Sequence, residues 1–365
     1  MRPFLLILLC VLGGAAPAQP ASTAPTAPRY TLVMPPGFEK VTVGAHIAIC
    51  QPNDVEWVKK SLAEVKPATR PTTMPADLLK RVTENRPAVV KQMVADFALA
   101  DDKEPNRLFD EKLLPTLTRL DQLKPPVYFL VCTREKLREL TSGGWGEPRF
   151  HYNRVAGEVS IDDHVYLSIE RPMDDAVLIG YYAEKDPIEH RIRALAAATQ
   201  KLDADLLRMI AEQSQPLVFN LTAQHLGEHY LEPLKLRRDQ QWLALGVAGY
   251  FAAKYAGQLT PYAKEQWLKD VTFENPRYPV SARGIDLTRP AEESTLRPVA
   301  IPFYTQAMRR KSIGVVAKWA QKSGDASVTK VLAAVGANKP TDGAALLKLV
   351  KDLTGEDLTK DLGAQ

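Results

Sequence analysis

Two histidines four residues apart, in Gln224-His225-Leu226-Gly227-Glu228-His229, anchor the reading of this 365-residue chain. Thirteen residues after the second histidine an apolar stretch begins, Trp242-Leu243-Ala244-Leu245-Gly246-Val247-Ala248-Gly249-Tyr250-Phe251. On a helix, positions four apart lie about 40° from each other at roughly 100° per residue. Both imidazoles then share a face and can reach one metal ion. Val218, Leu221, His225, Glu228 and Glu232 recur at three- and four-residue spacing, the inward row of such a helix. The same spacing also suits two packed histidines near Glu228 and Glu232 with no metal between them.

The chain opens on a different signal. Arg2, the apolar run Phe4 to Leu12 and the small-residue site Ala16-Pro17-Ala18 predict a secretory signal peptide over residues 1–18, too short for a membrane span. Leu9 is too bulky for lipoprotein processing at Cys10. Residues 19–29, mostly Ala, Pro, Thr and Ser, predict a disordered leader. No later run offers 18 uninterrupted apolar residues. The mature chain is therefore expected to be exported, periplasmic or extracellular, with no membrane span.

Charge is nearly balanced, 47 Lys and Arg against 43 Asp and Glu, so nothing calls for nucleic acid. Arg237-Arg238 and Arg309-Arg310-Lys311 read as solvated helix faces. Cys50 and Cys132 survive signal cleavage, each ending an apolar strand-like run. A disulfide and two buried thiols are both open readings.

Along the chain, Tyr30 to Pro35 and Val41 to Cys50 read as strands, the second by its alternation of apolar residues. Helices are predicted at Asp54 to Val65, Asp77 to Leu99 and Asn106 to Leu123, the last kinked or split by Pro115. A strand, Val127 to Cys132, is followed by a short helix, Arg134 to Leu140, and a Gly-rich turn carrying Trp145. Strand candidates follow at Phe150 to Val155, Glu158 to Ile161 and His164 to Glu170. Helices then dominate: Ile188 to Lys201, Ala204 to Gln213, Pro216 to Leu231, Arg238 to Ala256, Tyr304 to Lys322, Ser327 to Val335 and Asp342 to Leu353. A proline-rich passage covers Asn275 to Pro302.

These motifs resemble the gluzincin branch of zinc metallopeptidases, the thermolysin-like group with the peptidase MA fold. That family places His-Glu-x-x-His on one helix and a motif like Trp-Leu-x-Glu-Gly-x-Ala-x-Tyr on the next. The present chain matches the second motif at Trp242, Leu243, Gly246, Ala248 and Tyr250. As a pattern the likeness runs over most of Pro125 to Leu362, including Phe303-Tyr304-Thr305-Gln306 and Thr354-Gly355-Glu356-Asp357-Leu358. It implies an α+β fold: a gluzincin-like core with a mixed or antiparallel sheet followed by active-site-type helices, a helical C-terminal lobe, and an N-terminal α/β region. The expected domains are residues 30–124, 125–258 and 259–365.

Carried over position by position, the resemblance makes His225 and His229 metal ligands. It sets Leu226 at the general-base position and Leu245 at the glutamate-ligand position. Catalytic zinc needs three protein ligands and a base for its water, and leucine can serve as neither. The expectation is a non-catalytic metallopeptidase-like protein binding a peptide or protein, with no cofactor, or zinc if the site is still competent. An alternative keeps activity. His225-Leu226-Gly227-Glu228-His229 also spells the inverted motif His-x-x-Glu-His, in which Glu228 would be the base. Its further acidic ligand would come from elsewhere, and Glu265, Glu274 and Glu293 qualify by charge alone.

Weaker candidates are Asp162-Asp163-His164 and Asp174-Asp175, which suit turns around strands better than a cation. Asn220-Leu221-Thr222 is a glycosylation sequon inside a predicted helix. Trp145 reads as a possible exposed contact residue.

Overall fold

Two short strands, β1 (Glu39–Val43) and β2 (His46–Cys50), pair antiparallel through a two-residue turn. Alternation from Val41 to Ile49 had suggested one continuous strand. The break falls at Gly44, whose φ of 59° fits the first loop position of a type II′ hairpin. The computed structural model describes residues 37–122, 127–133, 159–161, 164–166, 176–181, 186–273 and 280–363. Outside these lie residues 1–36, where a signal peptide, leader and first strand were expected, the helix expected at 134–140, Trp145 and its expected turn, the strand expected at 150–155, and Asp162, Asp163, Asp174 and Asp175.

Four further strands, β3 (Val127–Cys132), β4 (Val159–Ile161), β5 (His164–Tyr166) and β6 (Ala176–Tyr181), complete a six-stranded sheet ordered β1-β2-β3-β6-β5-β4. Its centre, β2-β3-β6, is parallel, and both flanks are antiparallel. The fold is α+β with a mixed sheet, and the N-terminal strands belong to that same sheet. One of its faces is covered by α1 (Val55–Ala63) and the first turns of α5 (Ile188–Leu226), where Trp57, Val58, Leu62, Ile192 and Leu195 pack on Ala48, Cys50 and Val131.

That register decides the cysteine question. Cys50 lies opposite Val131, and cross-strand partners share a face, so the next residue, Cys132, points to the other side. Both cysteines are buried and no disulfide joins them. Burial, then the charges of Asp54 and Glu39, push the Cys50 thiol up to about 12, which leaves it protonated and unreactive.

The remaining helices are α2 (Pro75–Asp96), α3 (Lys103–Arg107), α4 (Leu114–Gln122), α6 (Gln241–Leu259), α7 (Lys264–Thr272), α8 (Ile301–Ser323), α9 (Asp325–Asn338), α10 (Gly343–Thr354) and α11 (Thr359–Leu362). A π turn, Leu108–Leu113, joins α3 to α4 just before Pro115, which has no N–H for an intrahelical bond. Sequence predicted three helices between Ile188 and Leu231. The structure has one 39-residue helix, α5, that continues into a second π turn at Gly227–Leu231. Asp203 lies within it, its carboxylate 3.6 Å from His46. Pro216 sits inside it and costs the helix one hydrogen bond, to the carbonyl four residues earlier. Helix α7 had no counterpart in the sequence reading.

The chain divides into two compact units, residues 1–74 with 120–212, and residues 75–119 with 213–365. This division cuts across the three consecutive stretches suggested by sequence. The first unit holds the sheet, α1 and the start of α5. In the second, α6 is the hub, with Trp242, Leu243, Val247, Tyr250, Phe251 and Tyr255 all buried.

Glycine makes that hub possible. A Cβ on Gly246 would lie 2.5 Å from the Ser312 carbonyl oxygen, and one on Gly249 would lie 2.3 Å from Ile313 Cδ1. Helix α8 therefore rests directly on the α6 backbone. At the far end of α6 a polar network closes the core. Tyr250 Oη donates to Asp325 at 2.6 Å, while Lys254 Nζ donates to Asp96 at 2.7 Å and to Asp325 at 2.5 Å. Tyr255 Oη donates to Asp96 at 2.9 Å, and Lys264 Nζ to Tyr250 Oη at 2.6 Å. Asp325 opens α9, where the helix dipole also favours its negative charge. Gly246→Ala is expected to cost about 1–3 kcal/mol, because the clashing Ser312 oxygen is backbone and cannot rotate away. Urea denaturation of the purified variant checks it, and an unchanged midpoint would show that α6 and α8 do not pack this closely.

Candidate functional site

The histidine segment does not stay an ordinary helix. Where α5 ends at Leu226 the backbone widens into the π turn Gly227–Leu231, a distortion often found at functional sites. The second unit's other π turn meets it through one ion pair: Lys112 Nζ donates to Glu228 Oε2 at 2.5 Å. Gln224 Nε2 donates to Glu228 Oε1 at 2.6 Å. Both carboxylate oxygens are thus engaged. Partial burial alone would raise the Glu228 carboxyl, but the hydrogen bonds from Lys112 and Gln224 outweigh it and hold it below the usual carboxylate range. A general base should titrate near working pH, and these contacts move Glu228 away from it.

His225 and His229 do come together on one face, with ring centroids 4.5 Å apart and planes inclined by 40°. Their surroundings differ. His225 is 1% exposed, and neither ring nitrogen has a hydrogen-bond partner of normal geometry. Burial, then the nearby His229 and Lys112, lower it from 6.5 to about 4, with the Glu104 side chain and backbone opposing only weakly. The imidazole is therefore neutral at pH 7. His229 is half-buried, and its Nδ1 lies 3.2 Å from Glu104 Oε2. Tyr230 packs beside them, its ring 5.9 Å edge-on from His225 and stacked on Phe97 at 4.9 Å. Its hydroxyl is buried without a partner, and burial followed by the Glu104 charge raises it well above the ordinary phenol range.

Leu226 is wholly buried in the core, and Leu245 is partly buried against the same cluster. Both leucines pack where the resemblance would set a base and a ligand. Among the described residues no group of three or more His, Cys, Asp or Glu side chains is placed to hold a metal ion. Of the acidic residues weighed as a further ligand, Glu265 acts on Tyr250 in the polar network. Glu274 and the side chain of Glu293 lie outside the described residues, as does the side chain of His164, whose backbone begins β5. Asn220 is a half-buried residue within α5. Three neighbours of the histidines, Glu104, Lys112 and Tyr230, went unnoticed in the sequence. Lys112 lies 116 residues from Glu228, so no local pattern could have paired them.

Comparison with known proteins adds nothing further: no family model, no curated protein and no solved structure matches this chain. Likeness to the gluzincins rests on the motif residues alone. Among the described residues no helix is long and apolar enough to cross a membrane.

The buried neutral histidine makes stability depend on pH. Unfolding restores an ordinary imidazole near 6.5, so between about pH 6.5 and 4 the unfolded chain binds more protons than the folded one. Stability is expected to fall on acidification through that window, by up to roughly 3 kcal/mol from this residue. His225→Leu should flatten that limb of the stability–pH curve measured by denaturant titration. An unaltered limb would place the titrating group elsewhere.

Proposed function

We propose that this protein is an exported, metallopeptidase-like protein that binds a peptide or protein in the cell envelope or outside the cell and does not hydrolyse it. The observation that carries the reading is the fate of the two positions where peptidase chemistry would require carboxylates. Leu226 is sealed in the core and Leu245 packs against it, so neither polarised water nor a third ligand has a donor there. Glu228, the remaining acidic residue between the histidines, is tied to Lys112 and Gln224. Its carboxyl sits too low to serve well as a base, and freeing it would break an ion pair. The fold that would shape a cleft persists because its helices pack through aliphatic and glycine contacts that owe nothing to a metal.

A second reading has one observation in its favour. A ring nitrogen of His225, unpartnered and beside His229 and Glu104, is a donor that a zinc ion would satisfy. The donor set does not amount to a catalytic centre among the described residues.

Two measurements separate the readings. Purified mature protein with added zinc is expected to leave labelled casein intact. Cleavage that needs zinc and vanishes in Glu228→Gln would overturn the non-catalytic assignment. Immobilised protein is expected to retain peptides from a mixed casein digest, and a column that holds none of them would remove the binding role.

A further inference from the structure

The triplet Arg309-Arg310-Lys311 reads in sequence as a solvated face, and the structure buries Arg310 and half-buries its two neighbours instead. Arg310 is 8% exposed, Lys311 donates to the backbone carbonyls of Ile285 and Gly363, and Arg309 is half-buried. The guanidinium of Arg309 lies 5.6 Å from the centroid of Phe219. Phe219 stacks on Trp267 at 5.5 Å and 12°, and Trp267 meets Tyr262 edge-on at 5.5 Å. Tyr262 is 44% exposed, so an aromatic ladder leads from solvent to the cation.

Several other arginines of this unit are answered by an acceptor, Arg86 by Asp110 and Asn106, Arg107 by Glu104 and Glu111, Arg237 and Arg238 by backbone carbonyls, and Arg81, Arg119, Arg289 and Arg297 stand exposed to water. Arg309 makes no hydrogen bond or ion pair among the described residues, and no acidic group bears on it electrostatically. Desolvated charges are ordinarily paired, because an unpaired one forfeits its hydration for nothing in return. A guanidinium presents a flat fork of donors matched to a two-oxygen anion.

We propose that Arg309, with the Phe219–Trp267–Tyr262 ladder, is a carboxylate-binding subsite that takes a free carboxyl group of a bound peptide. This rests on the peptide-binding reading above and names the ligand chemistry it would use. The fork takes the carboxylate, while the buried rings of Phe219 and Trp267, stacked on each other, support the guanidinium from below.

The test uses the mature chain and the casein-digest pool, native and with its carboxyl groups amidated. The native pool is expected to be retained by the wild-type protein, and the amidated pool to bind about ten-fold or more weakly. Arg309→Gln should lose retention of the native pool to a similar degree, with circular dichroism confirming its fold. If that variant does not fold, Arg309→Lys, which keeps the charge and loses the fork, is expected to weaken retention. Retention that survives amidation or the substitution overturns the subsite and leaves peptide binding standing. Complete displacement by inorganic phosphate alone overturns the assignment to a peptide carboxyl. A pool retained in neither form removes both the subsite and the reading beneath it.

Discussion

The second unit depends on how closely α8 can approach α6. At Gly246 the α8 backbone, and at Gly249 the Ile313 side chain, lie closer to α6 than a methyl group would allow. Dispersion and apolar burial both fall off steeply with separation, so this approach sets how well the flanking side chains pack. With α8 seated, Trp242, Leu243, Val247 and Phe251 lose nearly all contact with water, as do Val315, Val316 and Trp319 on the facing helix. The Asp96–Lys254–Asp325 network then works under favourable terms. Its charges are partly removed from water yet mutually paired, and both tyrosine hydroxyls add hydrogen bonds.

The histidine site inherits its character from that packing. Leu226 belongs to the same core as α6, which fixes the start of the π turn and turns His225 inward beside it. An imidazole so placed is neutral because hydration of its charged form is lost, and His229 and Lys112 discourage protonation further. Glu228, one turn along, reaches the surface and is held by Lys112. Two residues three apart on one helix thus have opposite environments, one apolar and unpartnered, one exposed and ion-paired. The two imidazoles share a face, and the carboxylate between them is engaged by Lys112 and Gln224.

Much of the secondary structure was legible. The Asp342 cap, whose side chain accepts from the Ala345 N–H, marks the start of α10, and apolar periodicity located α1, α2, α6, α8 and α9. Misreadings have local causes. Alternation continued straight through Gly44 because a two-residue turn preserves the period of two, so one strand was read where a hairpin stands. The long helix α5 was cut near Asp203 and Pro216, residues disfavoured in helix interiors that nevertheless lie within it, Pro216 at the cost of a hydrogen bond. The arginine triplet was read as solvated because charge in sequence carries no information about what packs over it.

Sequence by itself determined the helical spacing of His225 and His229, the leucines at 226 and 245, and the small residues that let α6 be crowded. These follow from side-chain type and a period of 3.6, which are properties of the chain alone. Tertiary structure decided which charges meet. It brought Lys112 to Glu228 and Glu104 to His229, put Cys50 and Cys132 on opposite faces of one sheet, and left a half-buried Arg309 over an aromatic ring without an anion. Those outcomes depend on distances between segments a hundred residues apart, and the energy of a charge depends on its neighbours in space, not on its neighbours along the chain.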